Sequence, residues 1–294
     1  MELAGSEVLS RLTAFSICFV LLAALEAVLP RHRRPIGRRS RWISNLGLIV
    51  VGTIVIRAIP FASAVAMAGL ADNRGWGLLH AIGPVPVWVG IAASIVVLDL
   101  AMYLQHMLFH ALPALWRLHR VHHTDPELDV TTGVRFHPIE ILLSAGFKGA
   151  VVGLLGAPVL GVIVFEIVLN AGSLWSHANL RVPGMADRLL RMVVVTPDMH
   201  RVHHSIDRVE TDSNFGFTLS WWDRLLGTYR AQPTMGHEAM IVGVAGFAVG
   251  DVLGLGHLLV QPMVREPDIP NDMQARHRSG EHVTTRSLHP TRGR

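Results

Sequence analysis

ILLSAGFKGAVVGLLGAPVLGVIVFEIVLNAGSL, residues 141–174, decides how this chain must fold. It is mainly apolar and far longer than the roughly 20 residues that one membrane span needs. Gly156-Ala157-Pro158 interrupts it near the middle, and Gly and Pro are the strongest local breakers. It reads as two short spans folded into a helical hairpin. Its flanks test that reading. The word HRVHH stands before it at His119–His123 and again after it at His200–His204. A single crossing would put the two copies on opposite faces of a bilayer. A hairpin returns both to one side.

Composition places the whole chain in a membrane. A soluble domain is about a quarter charged, whereas these 294 residues are 16% charged and 50% hydrophobic, with mean hydropathy +0.40. The lone cysteine, Cys18, excludes an internal disulfide, a thiolate zinc site and an iron–sulfur cluster. Any metal must rest on His, Asp or Glu. The net charge of +4 is carried by arginine, the single lysine being Lys148. RHRRPIGRRSR, Arg31–Arg41, lies between two apolar runs, so it reads as a cytoplasmic loop under the positive-inside rule rather than as a nucleic-acid contact. The N-terminus lacks the basic start and small-residue cleavage site of a secretory signal, so its apolar run is expected to be a retained span.

Further spans are expected at Leu12–Pro30, at Leu46–Leu70 (where Arg57 and Pro60 mark a kink or a cavity-facing spot) and at Val85–Leu108. With the hairpin this gives an all-α integral membrane fold of four to five transmembrane helices under a cytoplasmic helical cap. Residues 1–84 would hold the N-terminal helices and basic loop, and 85–235 the catalytic region. The Gly-rich apolar segment 236–264 is expected to lie in the interface rather than to form a sixth span. Residues 265–294 read as a disordered tail, with His277, His282 and His289 as bystanders.

The histidines carry the chemistry. In DLAMYLQHMLFH, Asp99, Tyr103, His106 and His110 fall on one helical stripe, and ionisable groups on a span face a site by default. His119, His122 and His123 follow at i, i+3 and i+4, and His200, His203 and His204 repeat that spacing. His137 stands three residues before Glu140, and His177 ends the hairpin. Ten candidate ligands are too many for one tetrahedral zinc. They suit two five- or six-coordinate ions with an open position, and iron with imidazole ligands and open positions activates dioxygen. Asp99, Tyr103, Asp125, Glu127, Asp129, Glu140, Asn179, Asp198 and Asn214 are candidate partners for the ring nitrogens turned away from metal. No catalytic side chain is expected beyond the ligands. Trp221, Trp222 and Tyr229 read as an interfacial aromatic belt or as packing beneath the site.

HMLFH, HRVHH and HRVHH, in that order, resemble the three histidine boxes of the fatty acid hydroxylase/sterol desaturase superfamily. RFHPIE, SHANL and SNFG…WWDRLLGTY add to the likeness, which covers about residues 90–230. The resemblance implies the listed histidines as ligands of two non-haem irons, dioxygen as co-substrate, and hydroxylation or desaturation of a lipid. It also implies a separate electron donor: a reductase, ferredoxin or cytochrome.

Two other classes compete. A metal transporter predicts ligands at several depths across the bilayer, whereas these cluster at span ends. A membrane zinc hydrolase needs a general base. The HRVHH words have Arg, not Glu, at the second position, so the zincin pattern fails.

Overall fold

The computed structural model describes residues 2–33, 38–59, 63–247 and 249–266. Two expectations fall partly outside them: the tail from 267 onward, with its three histidines, and the centre of the basic loop. The described chain is helical. Its main elements are α1 (Glu2–Val28), α2 (Arg38–Arg57), α3 (Ala64–Arg74), α4 (Val87–Ala111), α5 (Pro113–His123), α6 (Pro138–Leu155), α7 (Val159–His177), α8 (Gly184–Leu190), α9 (Pro197–His203) and α10 (Leu255–Val260). Five stretches are long and apolar enough to cross a membrane: Glu7–Val28, Arg38–Arg57, Val87–Ala111, Pro138–Leu155 and Val159–His177. The chain is an integral membrane protein.

The hairpin is present. α6 ends at Gly156, whose φ of 66° is left-handed and whose amide closes on Val152 and Gly153, the usual helix stop. Pro158 then leads into α7. The loop around Gly77 packs directly on this turn. A Cβ at Gly77 would come 2.1 Å from the Gly156 nitrogen, and its φ of 96° is one that L side chains rarely adopt.

The second apolar run corrects the sequence reading. Leu46–Leu70 is not one span: α2 stops at Arg57 and a separate helix α3 begins after Ser63. Ser63 caps α3 by accepting from the Ala66 amide. The physical cause is in the sequence, since Pro60, itself outside the described residues, has no amide to donate and disfavours helix in the residue before it. At about 1.5 Å per residue α3 is roughly 16 Å long, too short to cross. It packs by Ala64 and Ala68 on Leu98, Val152, Leu155 and Phe165, beneath the hairpin turn.

At the other end, charged groups tie the helices together. Arg41 is fully buried and clasps Asp125 through both oxygens (2.7 and 3.0 Å) and Asp129 at 2.8 Å. Arg135 donates to the Val121 carbonyl and to Asn45, both within 2.8 Å. Glu26 accepts from the amides of Val130 and Asn179, each at 2.7 Å. Residues 236–264 hold only short helical pieces among their described residues. Val244, Phe247, Val252 and Leu258 pack on Leu48, Trp116 and Val121, so the segment lies across α2 and α5 instead of forming a sixth crossing.

Candidate metal centre

Four elements deliver histidines to one place. α4 carries His106 and His110; α5 carries His119, His122 and His123. The end of α7 brings His177, and α9 with the residue after it brings His200, His203 and His204. The two short ligand helices start alike. Pro113 and Pro197 occupy first-turn positions, where the missing amide costs nothing, and Thr196 caps α9 by accepting from the Met199 amide.

Nine of the ten expected histidines converge, in two buried groups: His106, His110, His119, His123 and His203; and His122, His177, His200 and His204. Backbone and carboxylate partners fix the tautomers of five of them. A carbonyl oxygen only accepts, so Nδ1 donates in His106 (to Phe215), His203 (to Ser213) and His177 (to Ser173), each at 2.7 Å. His119 Nδ1 meets Glu140 Oε1 at 2.6 Å, and His110 Nδ1 meets Asp212 Oδ1 at 3.1 Å. Each Nε2 is then a bare lone pair.

The Nε2 atoms of each group point at one another. His106 Nε2 lies 3.0 Å from His119 Nε2 and 3.1 Å from His203 Nε2. His177 Nε2 lies 3.0 Å from His122 and His200 and 3.2 Å from His204. Converging lone pairs repel unless a cation lies between them. Donors at about 2.1 Å from one ion sit about 3.0 Å apart at a right angle and about 3.4 Å apart at a tetrahedral one. The spacing is that of atoms able to share one ion. Protonation does not compete. Burial pushes His119 down to about 3. Burial and then neighbouring imidazoles hold His122, His123, His200, His203 and His204 well below the ordinary 6.5.

His137 is not brought to either group. It caps α6, accepting from the Ile139 amide through Nδ1, while Nε2 contacts the Leu259 carbonyl at 3.1 Å. Among the expected partners of the rings, Glu140 touches one of the nine, His119. Asp99 accepts from Leu219 and Trp222, and Tyr103 pairs with Thr228. Asp125 and Asp129 hold Arg41, Asp198 holds Arg31, and Asn179 binds the His32 backbone. Glu127 also lies by Arg41.

Asn214 acts indirectly. Its φ of 52° is left-handed, and its side chain clamps the carbonyls of Met199 and Arg230 and the Arg230 amide. That turn aims the flanking carbonyls of Ser213 and Phe215 at His203 and His106. Asp223 supports the same loop, accepting from the amides of Phe215 and Gly216. Asp212 and the three carbonyls were not singled out from the sequence. The carbonyls have no side-chain signal, and Asp212 lies about a hundred residues from its ring.

Apolar rings wall the site. Phe136 stacks on His122 at 4.5 Å, Trp116 lies 4.9 Å from His110, and Phe217 lies 4.9 Å from His106.

A family model described as fatty acid hydroxylase matches residues 91–228. Ornithine lipid hydroxylase OlsE of Rhizobium tropici is 32% identical over 62% of this chain and 52% of its own length. Human alkylglycerol monooxygenase is 26% identical over 50% of this chain and 31% of its own. Human cholesterol 25-hydroxylase is 28% identical over 48% of this chain and 51% of its own. The chain thus spans about half, or less, of these relatives. No solved structure matches it. Residues 91–228, the stretch that matches the fatty acid hydroxylase family model, carry all nine converging histidines.

Proposed function

We propose that this protein is a membrane-bound lipid hydroxylase that uses two non-haem irons, dioxygen and electrons from a separate donor protein. The observation that carries the reading is the two buried sets of imidazole Nε2 atoms, with neighbours in each set about 3 Å apart. The irons, when bound, would supply dioxygen activation and the power to replace a C–H hydrogen by a hydroxyl group. His106, His110, His119, His123 and His203 would hold one ion, and His122, His177, His200 and His204 the other.

The chain's own part is positioning and exclusion. Glu140, Asp212 and the three carbonyls keep the rings in one tautomer and orientation. Phe136, Trp116 and Phe217 keep water from the rings. Leu104 and Leu108 on α4 are exposed beside the histidine end, which favours a substrate that arrives from lipid. The relatives' names differ in the molecule acted on and share its class, so the substrate is proposed as a lipid.

The histidine end is proposed to be cytoplasmic. The basic loop and the site lie at the same end, since Arg31 pairs with Asp198 and Arg41 with Asp125, and basic loops stay inside. All nine ligands gather at that one end, so an ion relay across the bilayer gains no support. The test is expression in a host under labelled dioxygen. A lipid that gains one labelled oxygen only with the intact chain is the expected result. A lipidome identical to that of the His203→Ala control would overturn the proposal.

A further inference from the structure

Asp99 lies seven residues before His106 on α4, about 10 Å deeper along the helix, in the middle of a membrane-spanning stretch. Yet its carboxylate accepts from the Leu219 amide at 3.2 Å and the Trp222 indole at 2.8 Å. α7 marks the same level: Gly172, five residues before His177, leaves room for Thr218. The 218–222 turn therefore sits below the histidines, on the span side. It carries a neighbour with it. The Val195 amide bonds the Thr218 carbonyl, Ser220 bonds Val193, and the Trp221 indole bonds Met192.

Together these pieces show an apolar outer face: Leu189, Met192, Val193, Trp221, Leu225 and Leu226 are all exposed, Leu225 at 73%. That level lies within the apolar length of α4. At the end of α1, Val28 and the following Leu29 are exposed just past Glu26, which bonds the Asn179 amide beyond His177, so exposed apolar surface extends up to the histidine level. Leu104 and Leu108 of α4, between Asp99 and the histidine end, are exposed as well. Arg224 lies over the Tyr229 ring at 3.9 Å, as a cation does when its stem lies along apolar surface and its head turns toward the interface.

We propose that residues 184–193 and 219–226 are embedded in the acyl layer of the leaflet on the histidine side, as a rim beside the metal centre. This rests on the membrane fold and not on the oxidation chemistry, so it can fail while the hydroxylase reading stands, and the reverse.

The test uses the full chain with Cys18→Ser in phosphatidylcholine bilayers. Nitroxide labels are placed singly at Leu225→Cys, Leu189→Cys and Met192→Cys, with Leu21→Cys as the lipid reference and Gln232→Cys as the aqueous one. Retained metal content certifies the fold of each variant. Collision with oxygen against a water-soluble nickel chelate reads depth. Rim labels that group with Leu21→Cys, at least several-fold richer in oxygen collisions than Gln232→Cys, support the proposal. Rim labels that group with Gln232→Cys overturn it. So does dipolar broadening between labels on two chains at Leu225→Cys, which would make a second copy the occupant.

Discussion

At the residue scale, the site depends on what each imidazole does with its outer nitrogen. Glu140 holds His119 by a 2.6 Å contact. Glu140→Gln keeps the shape but weakens that acceptor, and loss of such a partner typically costs 10–100-fold in metal affinity or activity. A fall of about tenfold in metal affinity, read by competition with a chelator, is expected. His137→Ala should leave the metal content unchanged, because His137 caps α6 outside both groups. His203→Ala should lose bound metal, and elemental analysis of both variants separates the roles. Asn214→Ala removes the short polar side chain that lets Asn sit in the left-handed region, where alanine is disfavoured by up to roughly 1–2 kcal/mol, and removes the clamp on Met199 and Arg230. Lower thermal stability together with weaker metal retention is the expected pair of readouts. The histidines were legible because spacing on a helix is local. His137 was misleading because HisPro reads equally as a ligand box or as a cap followed by first-turn proline.

At the element scale, packing decides what hydropathy alone leaves open. The break at Gly156-Ala157-Pro158 was legible because Gly and Pro act locally. The break between α2 and α3 reads from the sequence only as a kink at Pro60 within one span, because the apolar run continues through it. The piece after it proved too short to cross and is held by packing against the hairpin. That packing makes Gly77 sensitive. Gly77→Ala pairs an unfavourable φ with a Cβ inside the Gly156 backbone, so the loop and the hairpin turn must separate. Loss of roughly 1–3 kcal/mol should appear as a lower unfolding midpoint in detergent. Arg41 links α2 to the loop after α5. Arg41→Met leaves Asp125 and Asp129 buried without their clasp, and breaking one side of a buried pair costs about 3–5 kcal/mol.

At the scale of the whole molecule, the charge pattern and the hairpin make one statement: basic loop and histidines share an end of the bundle. In intact cells, a Gln232→Cys thiol in the Cys18→Ser background should resist an impermeant reagent and react after lysis. Labelling in intact cells would reverse the sidedness. The number of crossings was legible only to within one helix, because the segment 236–264 is as apolar as a span. Its glycines and the cover it gives to Leu48 and Trp116 are what keep it at the surface of the bundle. The central claim is that nine histidines build two ion sites in one chain. Its most direct test is elemental analysis of the full chain purified after growth with iron. Two irons per chain, reduced in both His122→Ala and His203→Ala, is the predicted result. A single tightly held zinc per chain, unaffected by one of the two substitutions, would contradict it.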